Sequence, residues 1–205
     1  MEKRYRISSV GRLRMGTDGE GIRTLVFADG CPLKCEYCIN PFTWNGTRDP
    51  MLLSAEDIYE KIIVDRPYIL ATNGGVTFGG GEPLLQPEMI RELRDLCEHE
   101  MSFYVETSLN VPYKNVELVA DIIDRFYVDI KSMDPDIYKE YTGGELDIVI
   151  DNLNQLLQRV DSEKVIVRVP MIPGYSDTDK QMKAKEKLKK LGVSRFNMFT
   201  YKVIK

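Results

Sequence analysis

The sequence predicts an α/β fold, an incomplete (β/α)6 TIM-like barrel with parallel strands. Three observations carry this expectation. Six short apolar runs alternate with longer amphipathic ones, the pattern of strand, crossover and strand that builds a parallel sheet with right-handed connections. Each of those runs is followed by polar or sulfur-bearing residues, as expected if all six strands end at one functional face. The 205 residues also fall short of the roughly 250 of a full eight-unit barrel.

The first strand is read at Ile22 to Phe27, after a lead-in over residues 1–20 and before a loop over 29–45. Ser54, three positions before Asp57, caps a helix whose Ile58, Ile62 and Ile63 share a face. Val76 to Phe78 forms a short strand. Pro87 opens a helix to about Glu100, with Ile90, Leu93, Leu96 and Cys97 at helical spacing. Phe103 to Glu106 is a strand, Asn115 to Asp124 a helix, and Arg125 to Ile130 a strand. Helices near Asp134 to Tyr141 and Asp147 to Val160 precede a strand from Lys164 to Val169. A helix from Asp177 to Leu191 and a strand from Arg195 to Phe199 complete the pattern. No repeat, low-complexity stretch or Pro/Ser-rich linker divides the chain, so residues 1–205 read as a single domain.

Composition narrows the function. With 28 Lys plus Arg against 32 Asp plus Glu, the formal charge is −4, which offers no basic field for nucleic acid. No apolar run reaches the roughly 18 residues that span a bilayer. The opening MEKRYRISSVGRLR has no apolar segment of signal-peptide type, so a cytoplasmic location is expected. His99 is the single histidine and is expected at the surface; its isolation removes most catalytic triads and His-rich zinc sites.

Cys31, Cys35 and Cys38 form C-x3-C-x2-C, three thiolates on one tight loop, which suits a soft metal or an iron–sulfur cluster. A structural zinc normally takes four ligands, and the remaining Cys97 falls in an amphipathic helix where a buried thiol is ordinary. Three cysteines would leave one iron of a [4Fe–4S] cubane open to a substrate. Zinc and plain structural thiols are the alternatives.

Five of the 15 glycines lie between Gly74 and Gly81, just before Glu82 and Pro83. Such density brings backbone close to a ligand, and a ledge of exposed amides beside one carboxylate would suit an amino-acid moiety; a flexible turn is the alternative. Asp129 and Lys131 alternate along one strand and face the same way, with Glu106 ending the neighbouring strand. The plain reading of these is an ion pair at a barrel rim. Arg168 sits among Val165, Val167 and Val169 and needs an anionic partner, from the protein or a ligand. Trp44 either shields the cysteine loop or belongs to the core. The six lysines between Lys180 and Lys190 read as a solvated helix face or a basic docking surface.

The run Asp18-Gly19-Glu20-Gly21-Ile22-Arg23-Thr24, then Gly30-Cys31-Pro32-Leu33-Lys34-Cys35-Glu36-Tyr37-Cys38-Ile39-Asn40-Pro41, resembles the activating enzymes of glycyl radical enzymes. These belong to the radical S-adenosylmethionine superfamily. Gly74-Gly75-Val76-Thr77, Asp129-Ile130-Lys131 and Pro173-Gly174-Tyr175-Ser176-Asp177 extend the likeness from about Gly16 to Tyr201. The absence of a second cysteine-rich insert between Asn40 and Gly74 points to the pyruvate formate-lyase type, with one cluster.

The resemblance implies that Cys31, Cys35 and Cys38 hold three irons of a [4Fe–4S] cluster. The fourth iron would chelate the amino and carboxylate groups of S-adenosylmethionine. Gly80, Gly81 and Glu82 would bind its amino group, Tyr37 the adenine through its backbone, and Lys131 and Arg168 the ribose or carboxylate. Asn40 counts with the cofactor-binding residues, and Lys131 with the catalytic ones. Glu106, Thr107 and Asp129 match positions that bind a monovalent cation in some relatives. Flavodoxin or ferredoxin would supply an electron to cleave the sulfonium, and the resulting 5′-deoxyadenosyl radical would take a glycine Cα hydrogen from a partner glycyl radical enzyme. A monomer is expected. Where many relatives carry Pro-Tyr-His, this chain has Thr200-Tyr201-Lys202. The competing readings are an activase of anaerobic ribonucleotide reductase, a radical enzyme acting on a peptide or small molecule, and a zinc-stabilised binding module docking through its last helix.

Overall fold

Six parallel strands stand where the sequence places them, and two antiparallel strands extend the sheet beyond them. The computed structural model describes residues 3–203. In chain order the strands are β1 (Tyr5–Met15), β2 (Ile22–Ala28), β3 (Met51–Leu53), β4 (Gly75–Gly80), β5 (Ser102–Thr107), β6 (Arg125–Asp129), β7 (Val165–Met171) and β8 (Arg195–Thr200). The helices are α1 (Phe42–Asn45), α2 (Ala55–Ile63), α3 (Arg66–Ala71), α4 (Pro87–Leu96), α5 (Tyr113–Ala120), α6 (Pro135–Thr142), α7 (Leu146–Arg159) and α8 (Thr178–Lys190).

The sheet order is β3-β1-β2-β4-β5-β6-β7-β8, with parallel pairing from β2 to β8. The two end strands do not meet, so the barrel is open, as the incomplete (β/α)6 reading expects. The lead-in is corrected in part: Tyr5–Met15 is a strand antiparallel to β2, and Met51–Leu53 pairs antiparallel with β1. Only the first half of β1 is buried, and its outer half carries Arg12 and Arg14, so no clean alternation marks it in the sequence. Among the described residues, no helix is long and apolar enough to cross a membrane.

Period-two alternation sorts the strands into two faces. Val26, Val76, Phe78, Phe103, Val105, Phe126, Val128, Val165 and Val167 are fully buried against the helices and form the core. The intervening positions, Arg23, Thr77, Tyr104, Glu106, Tyr127, Asp129 and Arg168, carry polar groups to the other face. Far from the carboxyl ends, Arg23 is 1% exposed and bonds only to hydroxyls and carbonyls of Thr77, Ser102, Val76 and Glu20. Its guanidinium lies 3.6 Å from the Tyr104 ring centre, and burial holds its pKa down at about 10.

The helices obey their own local signals. At α2 the Ser54 hydroxyl accepts from the Asp57 amide (3.1 Å) and the Asp57 carboxylate from the Ser54 amide (2.9 Å), a reciprocal cap that aims Ile58 and Ile62 into the core. Asp177 caps α8, where Lys183 pairs with Asp179, Lys189 with Glu186, and Lys187 reaches the Met133 carbonyl. These lysines belong to a solvated face knitted locally. Ser54→Ala should lower stability by about 1 kcal/mol, a fall in Tm of roughly 2–4 °C for a chain of this size, read by thermal denaturation.

Candidate active site

The carboxyl ends of the parallel strands surround one cavity of about 560 Å³. β2 leads into the cysteine loop, and Cys31, Cys35 and Cys38 all line the cavity with Asn40. β4 delivers Gly80, Gly81 and Glu82, β5 Glu106, Thr107 and Ser108, and β6 Asp129 followed by Lys131. β7 contributes Arg168, and the segment after β8 contributes Tyr201 and Lys202. Of the residues the sequence singles out for the site, only Tyr37 lies outside the wall.

The cysteine loop is fixed from two sides. On one, the Lys34 amide donates to the Thr142 carbonyl (2.8 Å) and the Glu36 amide to the Tyr141 carbonyl (3.1 Å), which moors the loop to the end of α6. On the other, the Gly81 amide donates to the Ala28 carbonyl (3.0 Å) and the Glu82 amide to the Gly30 carbonyl (2.8 Å). A Cβ on Gly81 would stand 2.2 Å from the Gly30 oxygen, so this approach requires glycine. Gly80, at φ +93°, would clash with Phe27 as well.

This geometry corrects the expected ledge of exposed amides. The amides of Gly81 and Glu82 are spent on Ala28 and Gly30, and the Gly80 carbonyl receives Asn40 Nδ2 at 3.4 Å. Carbonyls are the right partners for an ammonium, which only donates. Glu82 is 1% exposed, and its carboxylate accepts from Thr107 Oγ1 (2.7 Å), Ser108 Oγ (2.7 Å), the Ser108 amide (2.9 Å) and the Leu84 amide (3.2 Å). Four donors fill the four acceptor positions of a carboxylate, so the side chain braces the ledge against the end of β5. Burial pushes its carboxyl up, opposed by the bonds from Ser108, Thr107 and Leu84. Ser108 is a residue the sequence reading passes over; its signal is its place directly after Glu106-Thr107.

Tyr37 stands just behind the cavity wall. Its ring packs edge-on to Tyr141 (5.9 Å between centres) and Tyr175 (6.3 Å) beneath the loop, and its carbonyl already accepts from Tyr201 Oη at 2.6 Å. Trp44 stands on the far side of the loop, sharing a smaller cavity with Cys31. His99 is at the surface.

Arg168 finds its anionic partners within the protein. Its Nε and Nη2 fork onto Asp129 (2.5 and 3.1 Å), Nη1 reaches Glu106 (2.9 Å), and Lys131 Nζ bonds the same Asp129 at 3.1 Å. Two carboxylates thus balance two cations. Burial alone would raise the Asp129 carboxyl, yet Arg168 and Lys131 hold it down at about 2. Burial would likewise lower the two bases, and Asp129, with Glu106 on Arg168 and Cys35 on Lys131, keeps both above their ordinary values. Lys131 spends one of its three donors here and leaves the others for the cavity.

The donor set fits a cluster better than a single ion. Burial pushes Cys31 up to about 12 and Cys35 to about 11, so binding metal must expel their protons. Cys31, Cys35 and Cys38 line the cavity with no histidine or fourth cysteine among its lining residues, whereas a structural zinc normally takes four ligands. Three thiols spread over one loop suit a cubane, in which each sulfur takes a different iron. Cys97 lies in the apolar core with Leu93 and Met101.

The description "Radical SAM superfamily" matches residues 25–186, from within β2 into α8. The chain belongs to the radical SAM superfamily. It is 36% identical over 196 residues to a pyruvate formate-lyase-activating enzyme of Clostridium pasteurianum, covering 93% of this chain and 75% of that one. It is 31% identical to an indoleacetate decarboxylase activating enzyme of Tractidigestivibacter scatoligenes, covering 80% of this chain and 73% of that one. The solved structure of Streptococcus suis SuiB bound to S-adenosylmethionine shares the fold, with a TM-score of 0.65, 19% identity and coverage of 85% of this chain and 39% of that one. Membership of the radical SAM superfamily implies a [4Fe–4S] cluster and S-adenosylmethionine.

Asp129→Asn leaves Arg168 and Lys131 facing a neutral group and should cost roughly 3 kcal/mol. Because the folded fold holds Asp129 at about 2 against roughly 3.9 unfolded, its contribution is complete above about pH 4. It is lost as the pH falls from about 4 towards 2. Urea denaturation across that range should show a weaker acid dependence in the variant.

Proposed function

We propose that this protein is an activating enzyme of the pyruvate formate-lyase type, acting on a partner glycyl radical enzyme. The observation that carries this is the single cavity in which three cysteines, a carbonyl ledge and two cations meet. When bound, the cluster and S-adenosylmethionine supply a one-electron cleavage to methionine and a 5′-deoxyadenosyl radical, which takes a glycine Cα hydrogen.

The chain's own residues position and exclude. Cys31, Cys35 and Cys38 hold the cluster, and the carbonyls of Gly80 and Gly81 accept from the cosubstrate ammonium. Glu82 acts through its brace to Thr107 and Ser108, holding the ledge at the height the cysteine loop sets. Lys131 takes the cosubstrate carboxylate or ribose with its two remaining donors, and Arg168 keeps Asp129 from competing for them. Tyr201 anchors the segment after β8 to Tyr37 and so closes one side of the cavity. Leu33, Ile39 and Phe199 give that cavity an apolar lining, which limits water around a reactive carbon radical.

A monovalent cation would lie against Glu106, Thr107 and Asp129, where it competes with Arg168 for the same carboxylates. Flavodoxin or ferredoxin is the electron donor in this reading, and the working form is a monomer in the cytoplasm, where thiols stay reduced.

The test is anaerobic reconstitution with iron and sulfide, addition of dithionite and S-adenosylmethionine, and assay of 5′-deoxyadenosine. Its formation, together with a glycyl radical signal when the partner is added, is expected; a loaded protein that forms none overturns the reading. Cys35→Ala should lose both the cluster absorbance and the cleavage. Lys131→Met should keep its iron and bind S-adenosylmethionine about 10- to 100-fold more weakly by calorimetry, the worth of a charged hydrogen bond.

A further inference from the structure

Buried hydroxyls without partners are rare in folded proteins and call for a physical reason. Among the described residues, six buried side-chain polar atoms have no hydrogen-bond partner. Three of the six gather at the cysteine loop: Trp44 Nε1 within it, and Tyr138 Oη and Tyr141 Oη on α6, the helix that moors it. The other three, on Tyr5, Thr24 and Arg125, belong to β1, β2 and β6.

Tyr141 is the most telling of them. It is 2% exposed, yet it lines the cavity beside Cys31, Cys35 and Cys38. Its ring is clamped between Tyr37 (5.9 Å) and Tyr175 (5.0 Å). Its own carbonyl receives the Glu36 amide, which ties it to the residue after Cys35. Burial acts most strongly on its hydroxyl, then Tyr201 and Cys35, then the Tyr37 amide on its oxygen, then Cys38. Its own hydroxyl proton has no acceptor, in the wall of the cavity it shares with the three cysteines that would bind metal, which leaves it free to donate to sulfur there.

We propose that the Tyr141 hydroxyl donates a hydrogen bond to sulfur on the Cys35–Cys38 side of the bound cluster, and thereby raises the cluster's reduction potential. Reduction adds negative charge that spreads onto the sulfurs, and a donor there stabilises the reduced form more than the oxidised one; hydrogen bonds to sulfur are among the factors that set such potentials. Tyr141 is in this sense a positioning residue for charge, acting on the cluster and not on the substrate. The inference rests on the cysteine loop being the cluster site.

The experiment is a redox titration, followed by electron paramagnetic resonance, of the reconstituted protein without S-adenosylmethionine. Iron content and melting temperature are checked for each variant. Tyr141→Phe should be about tenfold harder to reduce, a fall of 59 mV for one electron. Tyr175→Phe disturbs the same aromatic cluster but deletes a hydroxyl that bonds Glu36, and should keep the wild-type potential. Tyr141→Met and Tyr141→Gln, similar in length and differing in the donor, repeat the comparison if the phenylalanine variant does not assemble; Gln should sit above Met. Equal potentials for wild type and Tyr141→Phe, or for Met and Gln, overturn the proposal, as does an equal shift in Tyr175→Phe. A wild type that takes up no cluster overturns this proposal and the functional reading together, whereas a loaded wild type that forms no 5′-deoxyadenosine leaves the titration decisive for Tyr141 alone.

Discussion

Two main-chain hydrogen bonds hold this molecule's chemistry in one place: Gly81 to Ala28 and Glu82 to Gly30. They bind the turn after β4 to the start of the cysteine loop after β2, and they exist because Gly81 carries no side chain at a point 2.2 Å from the Gly30 oxygen. The parallel register of Ala28 beside Gly80 brings the two turns level. Once they are level, everything downstream is placed: the thiols on one rim, the carbonyl ledge on the other, and Glu82 directed sideways into Thr107 and Ser108. A brace of this kind turns two loops, ordinarily the mobile parts of a βα fold, into one rigid wall.

The floor of the same cavity is governed by charge. Glu106, Asp129, Lys131 and Arg168 sum to zero, and no charge among them is left without a partner. Neutrality matters because the thiols beside them become anionic when they take metal, and any uncompensated carboxylate nearby would oppose that. Lys131 belongs to both systems, bonded to Asp129 and acting on Cys35. Arg23 shows the opposite solution at the far end of the strands, a cation held by hydroxyls, carbonyls and an aromatic face with no carboxylate at all.

Much of this is legible in the sequence. The six parallel strands follow from apolar runs whose burial on one face is nearly complete, such as Val76 and Phe78 or Val165 and Val167, and the site follows because reactive residues cluster after each of them. β1 escaped because its apolar and charged residues do not alternate over its whole length, and β3 because three residues carry too little pattern. The partners of Glu82 are hidden for a different reason. A sequence shows that a carboxylate follows a glycine run but not that four donors, two of them on Ser108, have already claimed it. Nor does it show that the Tyr37 carbonyl accepts from Tyr201, 164 positions away. Long-range hydrogen bonds of this kind leave no local trace.

The sheet ends at β3 on one side and β8 on the other, and the two never join. A closed barrel admits only what can thread its mouth, so the loops around the rim decide the size of guest. A seam along the wall changes that rule, because a stretch of folded polymer can be laid in from the side while its flanks stay outside. Selectivity then passes from pore width to the fit of two surfaces along the gap, and a reactive species can be generated deep in the molecule yet meet a target that is itself part of a large body.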